Sequence, residues 1–466
     1  MSLDTDVNLK KNHNWYWIKS KEFMEFNPKE SVKKGSLVKN IPMEKIEPNT
    51  KEISNFEETE FKSGVKFRNG DTLMARITPC LENGKISQVN ILDDNEIGCG
   101  STEFIVLREK EGISDKDFIY YLSKSDLFKE PAIKSMVGSS GRQRVQRDVI
   151  ENLDLYVPPL NIQKKIGKLL SLFDKKITLN KQLNNNLEEQ ILKIFNSWFV
   201  KFDKSEELTD SHLGLIPKGW TVDYLGSKKS CSIIGSGIDD FDDSKIYIAT
   251  ADVENSSITN NETLITMEDK PSRANMQPIS KSIWFAKMIE TRKLIMVDDY
   301  STDLLDNYIF STGFCGLKCV DKYFYYLWTF LLTDAFDTIK NNFCTGTTMQ
   351  AINNKDTKLI EFVLPDDEIL NKFNLIAKPL FKKIYYNNQE INQLQNLRDT
   401  LLPKLMSGEI DVSKINCDLK LIIKKIILKF ITLFIGGFKY ENKNNIKNSK
   451  SNETFFKPRT IFKINK

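Results

Sequence analysis

The chain has 466 residues, 40% hydrophobic and 28% charged, the balance of an ordinary soluble protein with length for about three domains of roughly 150 residues. Its formal net charge of +4 is too small to name a polyanionic partner by itself. The seven cysteines are scattered, and Cys315 with Cys319 lacks the second pair that a zinc ribbon needs.

In chain order, Met1 to Trp15 is polar, so no secretory signal is expected and a reducing, cytoplasmic setting follows. Short apolar runs then suit strands, T-E-F-I-V-L from Thr102 and L-D-L-Y-V from Leu153 among them, while D-F-I-Y-Y-L-S from Asp117 suits a short helix. Between them lies a polar loop, G-S-S-G-R-Q-R-V-Q-R-D, Gly138 to Asp148. After Pro158 and Pro159, apolar residues recur in steps of three and four from Ile166 to Trp198, the spacing of a helical seam. A second polar, glycine-bearing loop, T-G-T-T-M-Q-A-I-N-N-K-D from Thr345, precedes a strand-like L-I-E-F-V-L-P and a second three-four pattern that ends before Gly408.

The second set of segments repeats the first at an offset of 207 residues. Lys175 to Ile177 recurs as Lys382 to Ile384, and Pro158 falls on Pro365, Asn180 on Asn387, Gln182 on Gln389 and Ile41 on Ile248. With small gaps, the stretch from Met74 also matches the stretch from Phe285. The chain is therefore read as a tandem duplication. The fold expected is α+β: mixed α/β globules over 1–158 and 205–364, long helices over 159–204 and 365–408, and a basic, apolar extension over 409–466.

The helices are expected to pair as an antiparallel coiled coil through a seam of Phe173, Ile177, Asn180, Leu183 and Leu187 against Leu380, Ile384, Asn387, Ile391 and Leu394. An Asn at the matching place of both seams costs stability and fixes register. The competing reading puts both Asn on a solvated helix face. A helix of roughly 38 residues spans about 57 Å, so antiparallel pairing would hold the globules at opposite ends, related by a pseudo-two-fold axis, as dimeric DNA readers hold two half-sites.

The polar loops carry the residue types that read nucleic acid. Arg grips guanine through two hydrogen bonds, and Gln or Asn does the same with adenine. The first loop offers Ser139, Ser140, Arg142, Gln143 and Arg144, and the second Thr345, Thr347, Thr348, Gln350, Asn353 and Asn354. Arg76 and Lys85, and Lys287, Arg292 and Lys293, stand in matched strand-turn segments and could add phosphate or base contacts. For each of these residues the plain alternative is a surface side chain or a turn cap.

Catalytic signals are missing. There is no phosphate-cradling G-x-x-x-x-G-K and no N-P-P-Y-type tetrapeptide, and the G-S-G at Gly235 is not a methyl-donor fingerprint. His13 and His212, the only histidines, lie in separate polar segments. A nuclease would need a clustered acidic metal site, and Asp298-Asp299 and Asp366-Asp367 lack a repeated Lys or His companion. A coiled-coil scaffold whose globules bind proteins is the alternative from another class; strong salt-dependent DNA affinity would argue against it.

The run P-P-L-N-I-Q-K-K-I-G-K-L-L-S-L-F-D-K-K-I-T-L-N, followed by N-L-E-E-Q-I-L-K-I-F-N-S-W-F-V, resembles the first conserved helix of type I restriction-modification specificity subunits. I-P-K-G-W at Ile216, T-G-T-T-M-Q-A-I-N at Thr345 and L-R-D-T-L-L-P-K-L-M-S-G-E-I at Leu397 resemble the same family, over roughly residues 10 to 412. The resemblance implies that each globule is a target recognition domain reading one half of a split, asymmetric sequence in double-stranded DNA. It implies paired helices that set the spacing and dock methyltransferase subunits, two of them expected, and a restriction and translocase subunit in the full complex. The chain would be a non-catalytic targeting subunit binding no cofactor itself; S-adenosylmethionine, ATP and Mg²⁺ would belong to the partners.

The extension departs from that family. Leu421 to Phe438 is near membrane length, but Lys424, Lys425 and Lys429 interrupt it, each costly at a bilayer centre. An added amphipathic helix, or an extension of little function outside the family pattern, is expected there in preference to a membrane anchor.

Overall fold

The computed structural model of the chain describes residues 14–139, 141–347 and 350–413. The expectation for Leu421 to Phe438 lies outside these residues; among the described ones no helix is long and apolar enough to cross a membrane.

The two halves build the same sheets in the same order. In the first, Met24–Phe26, Phe104–Glu109, Thr72–Ala75 and Ile86–Gln88 lie side by side as an antiparallel sheet. In the second, Cys231–Ile233, Phe314–Cys319, Ser282–Ala286 and Leu294–Val297 take those places. A second, mixed sheet follows suit: Leu37–Ile41 runs parallel to Gly98–Gly100 in one half, and Lys245–Ile248 runs parallel to Tyr308–Ser311 in the other. A two-stranded ribbon closes each globule, Tyr16–Lys19 with Asp154–Val157 and Thr221–Tyr224 with Glu361–Leu364.

The central strands explain why their sequences are apolar without alternation. Every residue of Thr72–Ala75 and of Ser282–Ala286 is buried, because a strand's side chains alternate between two faces and both faces here meet a core. Met74 and Ala75 join the cluster that reaches the long helices, whereas Leu73 joins a separate one with Ile41 and Phe67. Likewise Ile283 and Phe285 face the helices while Trp284 and Ala286 face away.

Helices cover the sheet. Lys116–Lys124 starts where the Asp115 carboxylate accepts the Asp117 and Phe118 N–H groups, and Phe324–Leu331 is its counterpart, buried throughout. The first long helix, Leu160–Phe195, runs on into a wider turn over Asn196–Val200. The second, Asp367–Met406, is capped by Asp366, whose side chain accepts the Ile369 N–H.

The long helices pack against each other antiparallel. Contacts that advance along one retreat along the other: Lys165 Nζ to the Ser413 carbonyl at 2.6 Å, Arg398 to Asp174, Asn180 Nδ2 to Glu390 at 2.8 Å and Asn387 Nδ2 to Asn184 at 2.7 Å. Each globule thus rests on the start of one helix and the end of the other. The first takes Ile166 to Ile177 and Ile391 to Met406 into its core, and the second takes Ile191 to Phe199 and Leu370 to Phe381.

The pairing surface is largely apolar where it meets each globule, apart from the buried Arg398–Asp174 pair near the first, and polar in its middle. Asn180 and Asn387 are both buried, yet they bond to Glu390 and Asn184 and not to each other. Asn184 also donates to Asn388 at 2.7 Å. Leu183, expected on the seam, is 39% exposed; the neighbouring amides fill the interface there and leave it outside. Leu380 and Ile384 are half-buried and pack with the second globule's core.

Candidate nucleic-acid interface

The two polar loops and the two strand-turn segments, distant in sequence, form one junction in each half. In the first, the Arg76 N–H donates to the Glu103 carbonyl at 2.9 Å, Val145 N–H to the Arg76 carbonyl at 2.9 Å and Thr78 N–H to the Gln143 carbonyl at 3.0 Å. In the second, Lys287 donates to Gly313 at 3.0 Å, Ile352 to Lys287 at 2.9 Å and Ile289 to Gln350 at 3.0 Å. Each loop also closes on itself: Val137 and Arg144 exchange backbone bonds of 3.1 and 2.9 Å, and Thr345 and Ala351 bonds of 3.2 and 3.1 Å.

Local chemistry makes this shape. Gly138 and Gly346 sit at φ of +138° and +129°, a region L side chains rarely enter, and a Cβ on Gly138 would stand 2.9 Å from the Arg142 carbonyl. Val145 and Ile352 are the anchors: both are buried, one in each globule's main core. The residues just before them are thereby held at the surface.

The side chains divide into committed and free. Arg144 is bound to Glu103, Nε to both carboxylate oxygens at 3.0 Å and Nη2 to one at 2.6 Å. The hydrogen bonds from Arg144, with its charge, hold the Glu103 carboxyl below the usual carboxylate range. Arg142 and Ser139 are exposed, and the Arg142 guanidinium has no partner among the described residues; Gln143 is half-buried. Ser140 and Thr348 lie outside the described residues. Arg76 is half-buried, with Nη2 3.4 Å from the Val145 carbonyl.

The lysines and Arg292 make contacts within their own globules. Lys85 Nζ donates to the Met43 carbonyl at 2.9 Å, and Lys293 Nζ makes the same tie to Thr250 at 2.7 Å. Lys287 reaches the Thr312 carbonyl at 3.1 Å, and Arg292 pairs with Asp337 at 2.6 Å and with Asp334. In the second loop Thr347, Gln350 and Asn354 are exposed. Thr345 supplies the backbone bridge to Ala351. Asn353 is a helix cap, accepting the Lys355 and Asp356 N–H groups at 2.8 and 2.9 Å.

Sequence reasoning did not single out Glu103. A signal existed: across the repeat Glu103 meets Gly313 while Arg144 meets Ala351, so both members of the pair change together. Nor did it foresee the carbonyl ties of Lys85 and Lys293, since a backbone acceptor leaves no mark on the acceptor's residue type. Among the described residues, no three His, Cys, Asp or Glu side chains gather as a metal site would require. His212 is exposed, 3.1 Å from Glu361. The junctions therefore offer hydrogen-bond donors and positive charge at the surface, the equipment of a binding surface.

Residues 12–189 match the type I restriction modification DNA specificity domain, a span that takes in the first globule and most of the first long helix. The chain is 29% identical over 322 residues to the type I restriction enzyme MjaIX specificity subunit of Methanocaldococcus jannaschii, covering 66% of this chain and 71% of that one. It is 23% identical over 421 residues to the HindI specificity subunit of Haemophilus influenzae, covering 77% and 90%. The solved S subunit of a type I restriction-modification system from M. genitalium aligns at a TM-score of 0.47 and 15% identity, over 87% of this chain and 98% of that one.

Proposed function

The chain belongs to the family of type I restriction-modification specificity subunits, and from that premise we infer that each globule reads one half of a bipartite DNA target. The observation that carries this reading is the twice-built junction: one backbone pattern, repeated at opposite ends of the helix pair, presenting different side chains. Arg142, Gln143 and Arg144 face one half-site, and Thr347, Gln350 and Asn354 the other. Arg favours guanine and Gln or Asn favour adenine, so the two half-sites differ and the target is asymmetric. Phosphate contacts from residues such as Arg142 supply affinity without sequence information.

The chain itself performs no chemistry in this reading. It works with double-stranded DNA in the cytoplasm, docks two methyltransferase subunits along the paired helices and joins a restriction and translocase subunit in the full complex. S-adenosylmethionine, ATP and Mg²⁺ bind to those partners. The test is to map methylated bases in the genomic DNA of cells carrying the methyltransferase subunit with and without this chain. A split, asymmetric motif that depends on the chain is the expected result. A complex that assembles but marks no sequence, or the same motif in both cells, would refute the reading.

A further inference from the structure

The Glu103–Arg144 pair belongs to one globule only. The shared backbone bonds identify the matching residues: Arg76 to Glu103 corresponds to Lys287 to Gly313, and Arg144 to Val137 corresponds to Ala351 to Thr345. In the second half both partners are small and uncharged, and the junction forms without them. The second junction shows that this backbone pattern forms without such a pair.

Its geometry uses the guanidinium from one side. Glu103 takes the edge formed by Nε and Nη2. Nη1 is left with a marginal 3.5 Å approach to the Arg142 carbonyl, and the side chain is 43% exposed. A guanidinium carries five donors in a planar fork, so the outer edge, from Nη1 and the second hydrogen of Nη2, remains for a second planar partner. That edge matches the O6 and N7 acceptors of guanine. A carboxylate behind the fork fixes its plane and offsets its charge, which weakens attraction to phosphate and leaves directional bonding to a base edge. Arg142, beside it, is exposed and has no such clamp.

We propose that Glu103 is a positioning residue for base readout: it clamps Arg144 so that the free guanidinium edge reads a guanine in the first globule's half-site, a contact the second globule does not make. This rests on the reading of the chain as a DNA specificity subunit. It extends that reading to a residue that touches no DNA and to the identity of one base.

The experiment uses the full chain assembled with its methyltransferase subunits and a DNA library randomised one position at a time across the mapped motif. Arg144→Ala should lower the preference for guanine at one position of one half by about tenfold or more, leaving the other half unchanged. Glu103→Gln should relax the same position in the same direction. Because Glu103 acts through Arg144, adding Glu103→Gln to Arg144→Ala should change base preference no further. Arg142→Ala should instead weaken methylation evenly over all sequences. An intact guanine preference in Glu103→Gln, an even loss at every sequence in both variants, or a half-site without a guanine requirement would overturn the proposal while leaving the specificity-subunit reading in place. A wild-type complex that marks no bipartite motif would overturn both.

Discussion

Basic residues that look equivalent in sequence do different work here. Lys85 and Lys293 each reach from the residue just before the strand that follows the turn to a carbonyl of a short helical turn, Met43 in one half and Thr250 in the other, and so brace the junction from behind. Replacing either by Ala removes a partly buried, charge-assisted hydrogen bond, and we expect about 1–2 kcal/mol of destabilisation in urea unfolding, with the methylation motif unchanged. A changed base at any motif position in these variants would show that they read DNA after all. The residue types of the interface were legible from composition of the loops, but their commitments were not. Whether Arg144 is free depends on Glu103, and whether Asn353 is free depends on the helix it caps; both partners are set by tertiary or local geometry that a list of candidate residues does not contain.

The long helices were the most legible elements, because three-four spacing over ten turns has few other readings. Their contact surface is less regular than the spacing suggests. Near the first globule, Arg398 enters the interface and meets Asp174, both buried, and the Tyr121 hydroxyl donates to the same carboxylate. Burial alone would work against a charged Arg398, but the hydrogen bond it donates to Asp399 and the nearby Asp174 charge outweigh it and push its pKa above the ordinary arginine value. Asp174→Ala strands that cation without its buried partner, and we expect a loss of about 3 kcal/mol by thermal unfolding. Pairing Asp174→Ala with Arg398→Met should recover most of it. A single variant as stable as the wild type would mean that Arg398 turns outward to Asp399 alone. The polar middle around Asn180, Asn184, Asn387 and Asn388 gives the pair a register that an all-leucine seam would leave open.

At the scale of the molecule, the antiparallel helix pair holds one globule at each end, and in the proposed function it sets the distance between the two half-sites. Inserting seven residues into the polar middle of both helices keeps the packed faces in phase and lengthens the pair by about 10 Å, close to three base pairs at about 3.4 Å each. The mapped motif should keep both halves and gain about three base pairs of spacer. A spacer that stays constant would mean that DNA bending or another subunit sets the distance.

The amino-acid sequence by itself determined the duplication, the two long helices and the polar loops before each of them, because copies keep their order of residues and helices keep their period. Tertiary structure decided what those loops touch. Arg76 and Val145, or Lys287 and Ile352, are brought together by strand register and by a buried anchor, and such contacts between distant segments depend on backbone hydrogen bonds that leave no residue pattern. The same is true of the Asp174–Arg398 pair and of the exposed Leu183: periodicity places a residue on a helix face, but only the packed partner determines which part of that face is closed.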